Sequence, residues 1–139
     1  MRDASLLSRE NYFIAFEGFA ETRLPEAAVR MFVRGSENET DLLLNLPGTV
    51  DRWHIDFRSY AFYSATSEDF TSMSGGGTIP AYRIYQQSDL LTFLAHQSNL
   101  KEQEKQRGIH FLHFSFACME HQVDIISSEK PLIQLLNTK

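Results

Sequence analysis

Polar and apolar residues alternate most regularly in the segment WHIDF. Trp53, Ile55 and Phe57 fall on one side of it and the polar residues between them on the other. This period of two is typical of a β-strand with one buried face. Three further segments show a partial alternation and also predict strands: NYFIAFEGF (11–19), YAFYSA (60–65) and AYRIYQ (81–86). The chain therefore predicts a series of short strands separated by turns.

The segment PEAAVRMFVRG is open to two interpretations. Pro25 followed by Glu-Ala-Ala is typical of the start of a helix, whereas the apolar residues between Val29 and Val33 alternate with other residues as they do in a strand. We leave residues 25–34 open between helix and strand but favour a strand over 28–34. The polar loop GSENE would then join it to a second strand, TDLLLNL, in a hairpin.

The pattern of apolar residues changes after the predicted strand AYRIYQ (81–86). Ser88 or Asp89 can cap the first turn of a helix. Four apolar residues then recur on one side, as in an amphipathic helix: Leu90, Leu91, Phe93 and Leu94. The following run NLKEQEKQRG is mostly polar and continues as a solvated stretch. We expect one main α-helix near residues 88–105.

The segment HFLHFSFACMEHQVDI predicts a hairpin whose register follows if Met119 and Glu120 form a two-residue turn. Cys118 then lies opposite His121, and five residues share the buried face: Leu112, Phe114, Phe116, Val123 and Ile125. Closely spaced strands with one inserted helix indicate a mainly β (α+β) fold, either an antiparallel β-sandwich or a strongly curved sheet. A chain of 139 residues fits a single domain, spanning 1–139.

The composition supports this fold class and excludes some classes of function and location. Eleven Phe and five Tyr favour sheets over helix bundles. A formal charge of −5 disfavours binding to nucleic-acid phosphates and suits a basic partner. No apolar run near the N-terminus has the length of a signal sequence, and none anywhere approaches about 18 residues. We therefore expect a cytoplasmic protein with no membrane partner.

The other face of the hairpin carries the three residue types of a catalytic triad. In the predicted register Ser115 lies opposite Asp124, and His113 lies diagonal to it. A serine in the middle of a strand, however, has no backbone N–H groups aimed at a developing oxyanion. We therefore expect no catalytic residue and interpret this face as solvated polar surface. The alternative is a small enzyme or ligand-binding domain that uses the His113, Ser115 and Asp124 face.

The same hairpin holds residue types that bind zinc, namely His110, His113, Cys118 and His121. His110 and His113 are an odd number of residues apart, so in a strand their side chains project to opposite faces. Cys118 and His121 at the turn would supply only two ligands. We expect neither a metal nor another cofactor. The single cysteine, Cys118, is interpreted as a buried, inert thiol.

The order of these segments resembles that of a known group of proteins. TDLLLNL is followed by WHIDF with SYAFYSATSED, then by AYRIYQQSDLLTFL and IHFLHFSFACMEHQVDIISSEKP, over roughly residues 40–131. This succession is similar to small bacterial immunity proteins of polymorphic toxin and contact-dependent growth inhibition systems. The resemblance implies a non-enzymatic inhibitor that binds one cognate toxin domain, often a nuclease, in the cytoplasm.

Acidic side chains would contact such a toxin if its surface is basic. Carboxylates can occupy the positions of substrate phosphates, and long-range attraction speeds association. Five acidic residues outside the expected core are candidates for partner binding: Asp56, Glu68, Asp69, Glu120 and Asp124.

Overall fold

Two four-stranded antiparallel sheets form the fold, which a computed structural model describes for residues 3–25, 27–70 and 80–136. Sheet A has the strand order β1-β2-β3-β8, and sheet B has the order β4-β7-β6-β5. Within the described ranges the strands are β1 (Phe13–Leu24), β2 (Ala27–Ser36), β3 (Asp51–Phe57), β4 (Phe62–Ser67), β5 (Tyr82–Tyr85), β6 (Leu112–Cys118), β7 (His121–Ser127) and β8 (Leu132–Leu135). Both sheets therefore combine strands that are distant in sequence.

The two sheets share one apolar core. Inward-facing residues of sheet A pack with those of sheet B, and the rings of Phe57 and Phe114 meet with centroids 5.2 Å apart. Along β2 every second residue from Ala27 to Val33 is buried, which is the pattern of a strand with one face against a core. The predicted mainly β fold is confirmed, and of the two predicted forms the sandwich is the one observed.

The strand predictions are confirmed for all four alternating segments, each of which overlaps an observed strand. Residues 25–34, left open between helix and strand, contain the start of β2, and the favoured strand over 28–34 is confirmed. β2 pairs with β1 on one side and with β3 on the other. As a central strand, β2 satisfies its backbone hydrogen bonds through both neighbours. The alternation of Val29, Met31 and Val33 was therefore the correct signal, and the helix start at Pro25 was not.

The prediction of a strand for TDLLLNL is wrong, because residues Glu39–Leu44 form the helix α1. The side chain of Asn38 caps its first turn by accepting a hydrogen bond from the Asp41 N–H at 3.0 Å, and the carboxylate of Asp41 suits the positive end of the helix. Asn45 ends the helix in a left-handed conformation with φ 52°. The two caps outweigh the run of leucines, of which only Leu42 is buried.

Two helices occupy the region where one helix near 88–105 was expected. They are α2 (Asp89–Gln97), capped by Ser88 as predicted, and α3 (Leu100–Arg107). The break lies at Ser98, whose backbone is extended. Its hydroxyl donates to the Leu94 carbonyl oxygen at 2.7 Å and accepts from the Leu100 N–H at 3.2 Å. One serine side chain thus bonds both the end of α2 and the start of α3.

The C-terminal hairpin has the predicted register. Cys118 pairs with His121, and the residues before and after them pair in step as far as Leu112 and Ser127. Met119 and Glu120 form the turn, in which Glu120 is left-handed with φ 67°. Of the five residues predicted to share the buried face, Leu112 is half-buried and the other four are fully buried: Phe114, Phe116, Val123 and Ile125.

A small polar network lies inside the core of sheet A. The Tyr12 hydroxyl donates to Asp51 Oδ2 at 2.6 Å and accepts from the Trp53 indole N–H at 2.8 Å. All three side chains are buried. Gly35 of β2 lies against the Tyr12 ring, so closely that a Cβ atom built on it would be 2.3 Å from the Tyr12 hydroxyl oxygen. The network therefore needs a residue without a side chain at position 35.

Candidate functional site

Three of the five acidic candidates come together at one end of sheet B. Glu68–Phe70 form a short 3-10 helix after β4, and the Glu68 N–H donates to the Glu120 carbonyl oxygen of the β6–β7 turn at 2.9 Å. The three acidic residues are exposed. Phe70, next to them in the chain, has 83% of its surface exposed. We call this group of Glu68, Asp69, Phe70 and Glu120 the acidic end.

Asp56 does not belong to an accessible acidic surface. It lies on the outer face of sheet A, as the alternation predicts, but only 2% of it is exposed. Arg30 stands opposite it in the β2–β3 pairing. The guanidinium covers the carboxylate with two hydrogen bonds, Nε to Oδ1 at 2.8 Å and Nη2 to Oδ2 at 3.0 Å. The structure thus gives Asp56 a structural partner within its own sheet.

Replacing Asp56 by asparagine should lower the free energy of unfolding by about 1.5–3 kcal/mol, the usual contribution of a hydrogen bond to a charged group. The amide keeps the size of the carboxylate but offers only one acceptor oxygen to Arg30. Urea denaturation of the two chains measures the difference. Asp69→Asn is the matched control, because its exposed side chain should contribute within about 0.5 kcal/mol. Equal losses in both variants would show that the Arg30 pair contributes nothing.

Asp124 and His113 lie on the outer face of sheet B, together with Ser115. The sequence predicted this face as solvated surface, and that prediction is wrong, because His113 and Ser115 are buried. Ser115 lies opposite Asp124 as predicted. Its hydroxyl accepts from the Gln122 side-chain amide at 2.9 Å, and the same amide donates to Asp124 Oδ1 at 3.1 Å. The polar groups of this face therefore bond to one another.

The serine that contacts His113 is Ser88 and not Ser115. His113 Nδ1 lies 2.8 Å from the Ser88 hydroxyl oxygen, and His113 Nε2 lies 2.7 Å from Asp124 Oδ1. The ring of Tyr85 packs on His113 with centroids 5.5 Å apart. From the sequence, Ser88 was expected only as a helix cap. Its position between the predicted strand 81–86 and the predicted helix was the available signal that its hydroxyl would lie near the sheet.

A cavity of about 770 Å³ lies beside Ser88, between α2, α3 and the residues that lead into β6. Its apolar lining includes Leu91, Ala95, Leu100 and Phe111. Polar groups also line it, and they include Lys101 and His110. The volume is in the range of pockets that bind small molecules.

The zinc-ligand types of the hairpin do not gather into a site. Among the residues that the structure describes, no three His, Cys, Asp or Glu side chains are placed to hold a metal ion. His113 is engaged by Ser88 and Asp124. Cys118 is half-buried, and burial, together with the nearby Asp124 charge, raises the pKa of its thiol. The thiol is therefore protonated and a weak nucleophile at neutral pH.

Comparison with known proteins adds no relative: no protein-family model, curated protein or solved structure matches this chain. Within the described ranges, no helix is long and apolar enough to cross a membrane. The function is therefore inferred from the acidic end and from the contacts of Ser88, His113 and Asp124.

Proposed function

We propose that this protein is an immunity protein that binds and neutralises a cognate toxin domain, a nuclease, in the cytoplasm. The observation that carries the proposal is the acidic end, where the chain brings Glu68, Asp69 and Glu120 together beside the exposed ring of Phe70. Inhibition of this kind needs no catalysis, because a bound inhibitor only has to cover the active site of the toxin. The proposal also agrees with the resemblance of residues 40–131 to immunity proteins in the order of their segments.

The chemistry of the acidic end fits a basic partner. A nuclease binds phosphates through basic groups, and a set of carboxylates can take the same positions and attract the enzyme from a distance. The net charge of −5 acts in the same direction and disfavours nucleic acid as the partner. Phe70 supplies an aromatic side chain, and aromatic residues including Phe are enriched at the core of interfaces.

The backbone around the acidic end favours tight binding. Glu120 is held in the turn of a hairpin whose strands are paired over their full length, and the 3-10 helix is bonded to that turn through the Glu68 N–H. A preorganised surface loses less conformational entropy when it binds than a flexible one. Asp124 is bonded to His113 and Gln122, so we place it outside the contact surface.

Co-expression tests the proposal directly. The proposal predicts that a large secreted protein with a variable C-terminal toxin domain is encoded immediately upstream, and cells that express that C-terminal domain alone should die. Cells that also express this chain should survive, and the two proteins should co-purify at low salt, where charge attraction is strongest. If cells die equally in both cases and the proteins fail to co-purify, the immunity function is excluded.

A matched pair of variants separates the contribution of the acidic end to toxin binding from the contribution of the net charge. The variant Glu68→Gln, Asp69→Asn, Glu120→Gln and the control Glu10→Gln, Glu39→Gln, Glu102→Gln each remove three exposed acids. Both change the net charge from −5 to −2, since −5 + 3 = −2. We expect the association rate at low salt to fall about 10-fold or more in the first variant and much less in the control. Equal losses would show that net charge, and not this surface, attracts the toxin.

A further inference from the structure

The contacts of His113 are satisfied by the neutral tautomer that carries its proton on Nε2. With the proton on Nε2, the imidazole donates to the Asp124 carboxylate at 2.7 Å and its Nδ1 lone pair accepts from the Ser88 hydroxyl at 2.8 Å. Asp124 also accepts from the Gln122 amide, which holds its carboxylate in place. A serine that donates to a histidine whose other nitrogen donates to a carboxylate is the arrangement that activates a nucleophile.

Ser88 is better placed for this chemistry than a serine in mid-strand. It follows the turn after β5 and precedes the nine-residue helix α2. The first N–H groups of a helix have no acceptor within the helix. In α2 the Leu91 N–H bonds to the Ser88 hydroxyl, so the N–H groups of Asp89 and Leu90 are the ones that would stabilise an oxyanion. Ser88 also lines the cavity of about 770 Å³. Ser88 is thus half-buried, in the wall of the cavity and at the start of a helix.

We propose that Ser88 is an acyl-accepting nucleophile and that the cavity binds small carboxylic esters with an apolar acyl group. Leu91, Ala95, Leu100 and Phe111 line the cavity and would pack against that group. His113 is the general base in this assignment. Asp124, which contacts only the far nitrogen of the ring, is a positioning residue that stabilises the imidazolium.

The reaction has two steps. The Ser88 oxygen attacks the ester carbonyl carbon while its proton passes to His113 Nδ1, and the bond to the alcohol oxygen breaks as that oxygen takes the proton from His113. Water then attacks the acyl-serine and gives a proton to His113 Nδ1. The Ser88 oxygen leaves and takes this proton back. The products are an alcohol and a carboxylic acid, and the free serine is restored.

The Ser88 hydroxyl also caps the helix α2. Because of this structural role, we expect hydrolysis of an ester by Ser88 to be slow. The Ser88 hydroxyl accepts from the Leu91 N–H at 3.1 Å as the cap of α2. Its backbone is extended, with φ −162° and ψ 165°, without the flanking glycines of a nucleophile elbow. The neighbouring carboxylate of Asp89 disfavours a second negative charge. We therefore expect labelling by an activated reagent to be easier to detect than turnover of an ester.

A fluorophosphonate probe and p-nitrophenyl butyrate test the proposal on the full chain. We expect one phosphonyl group, located on Ser88 by peptide mass spectrometry, and slow release of nitrophenolate. His113→Ala should lower the labelling rate about 10²–10⁴-fold, the usual contribution of a general base. Ser128→Ala is the control, because it removes another half-buried hydroxyl away from the bonds that join Ser88, His113, Asp124, Gln122 and Ser115, and it should label at the rate of the unchanged chain.

Ser88→Asn keeps a good helix cap but removes the nucleophile, so it separates the two roles of this residue. We expect it to keep the melting temperature within a few degrees and to lose all labelling. No adduct on the unchanged chain, or an adduct that persists in a folded Ser88→Asn variant, would overturn the proposal. Toxin neutralisation should survive Ser88→Asn, because about 17 Å of strand separates His113 from the acidic end. Failure of one proposal is therefore distinguishable from failure of the other.

Discussion

Replacing Phe114 by alanine should lower the free energy of unfolding by about 3–5 kcal/mol. Phe114 is fully buried in the middle of β6 and pairs with Ile125 on one side and Ile84 on the other. Its ring packs edge-to-face on Phe57 of the opposite sheet. The substitution removes apolar burial, leaves a cavity between the sheets and loses the aromatic pair, which contributes about 0.5–1.5 kcal/mol beyond its area.

Urea denaturation followed by Trp53 fluorescence measures this loss. The matched control is Phe93→Ala, which removes the same side chain from the surface of α2, where 58% of Phe93 is exposed. We expect the control to change the free energy of unfolding by less than about 0.5 kcal/mol. A loss below about 1 kcal/mol for Phe114→Ala would contradict the position of this residue between the two sheets.

The second large effect is expected for Gly35→Ala. A Cβ atom at this position would lie 2.3 Å from the Tyr12 hydroxyl oxygen and 2.5 Å from a ring carbon. Tyr12 is buried and its hydroxyl is bonded to Asp51 and Trp53, so the ring cannot move away from the new methyl group without breaking these bonds. Overpacking costs about 1–3 kcal/mol. Breaking the Tyr12 hydrogen bonds to relieve the clash costs about 1–3 kcal/mol more, because Asp51 stays buried.

A double-mutant cycle identifies the clash as the cause. In a Tyr12→Leu background the ring that opposes the new methyl group is absent, so Gly35→Ala should destabilise that chain much less than it destabilises the unchanged one. Both costs are measured by urea denaturation. Equal costs in the two backgrounds would mean that residue 35 requires glycine for a reason other than the Tyr12 ring.

Local patterns were sufficient for most strands. The alternation around Trp53 and the pairing of Cys118 with His121 could both be predicted, because a strand with one face in the core exposes and buries every second residue, and a two-residue turn leaves one register. The cap of α2 at Ser88 was predictable for a similar reason, since a cap bonds to an N–H group only three residues away. These features depend on neighbours in sequence.

The helix α1 shows where a local pattern was misread. Its three consecutive leucines suggested a buried strand, yet Asn38 and Asn45 cap a helix of six residues around them. Both caps are local signals that were present in the sequence. The apolar run alone predicts a strand, but Leu43 and Leu44 prove to be exposed.

The tertiary structure alone decided which side chains of the candidate sites meet. Ser88 and His113 are 25 residues apart, and Glu68 and Glu120 are 52 apart. They approach each other because β5 pairs with β6 and β4 with β7 in sheet B. The same holds for Asp56, which alternation places correctly on the outer face but which Arg30 of the neighbouring strand covers. Alternation specifies the face of a sheet that a residue occupies, whereas the order and register of strands from distant parts of the chain determine its partners, and these depend on packing the whole core.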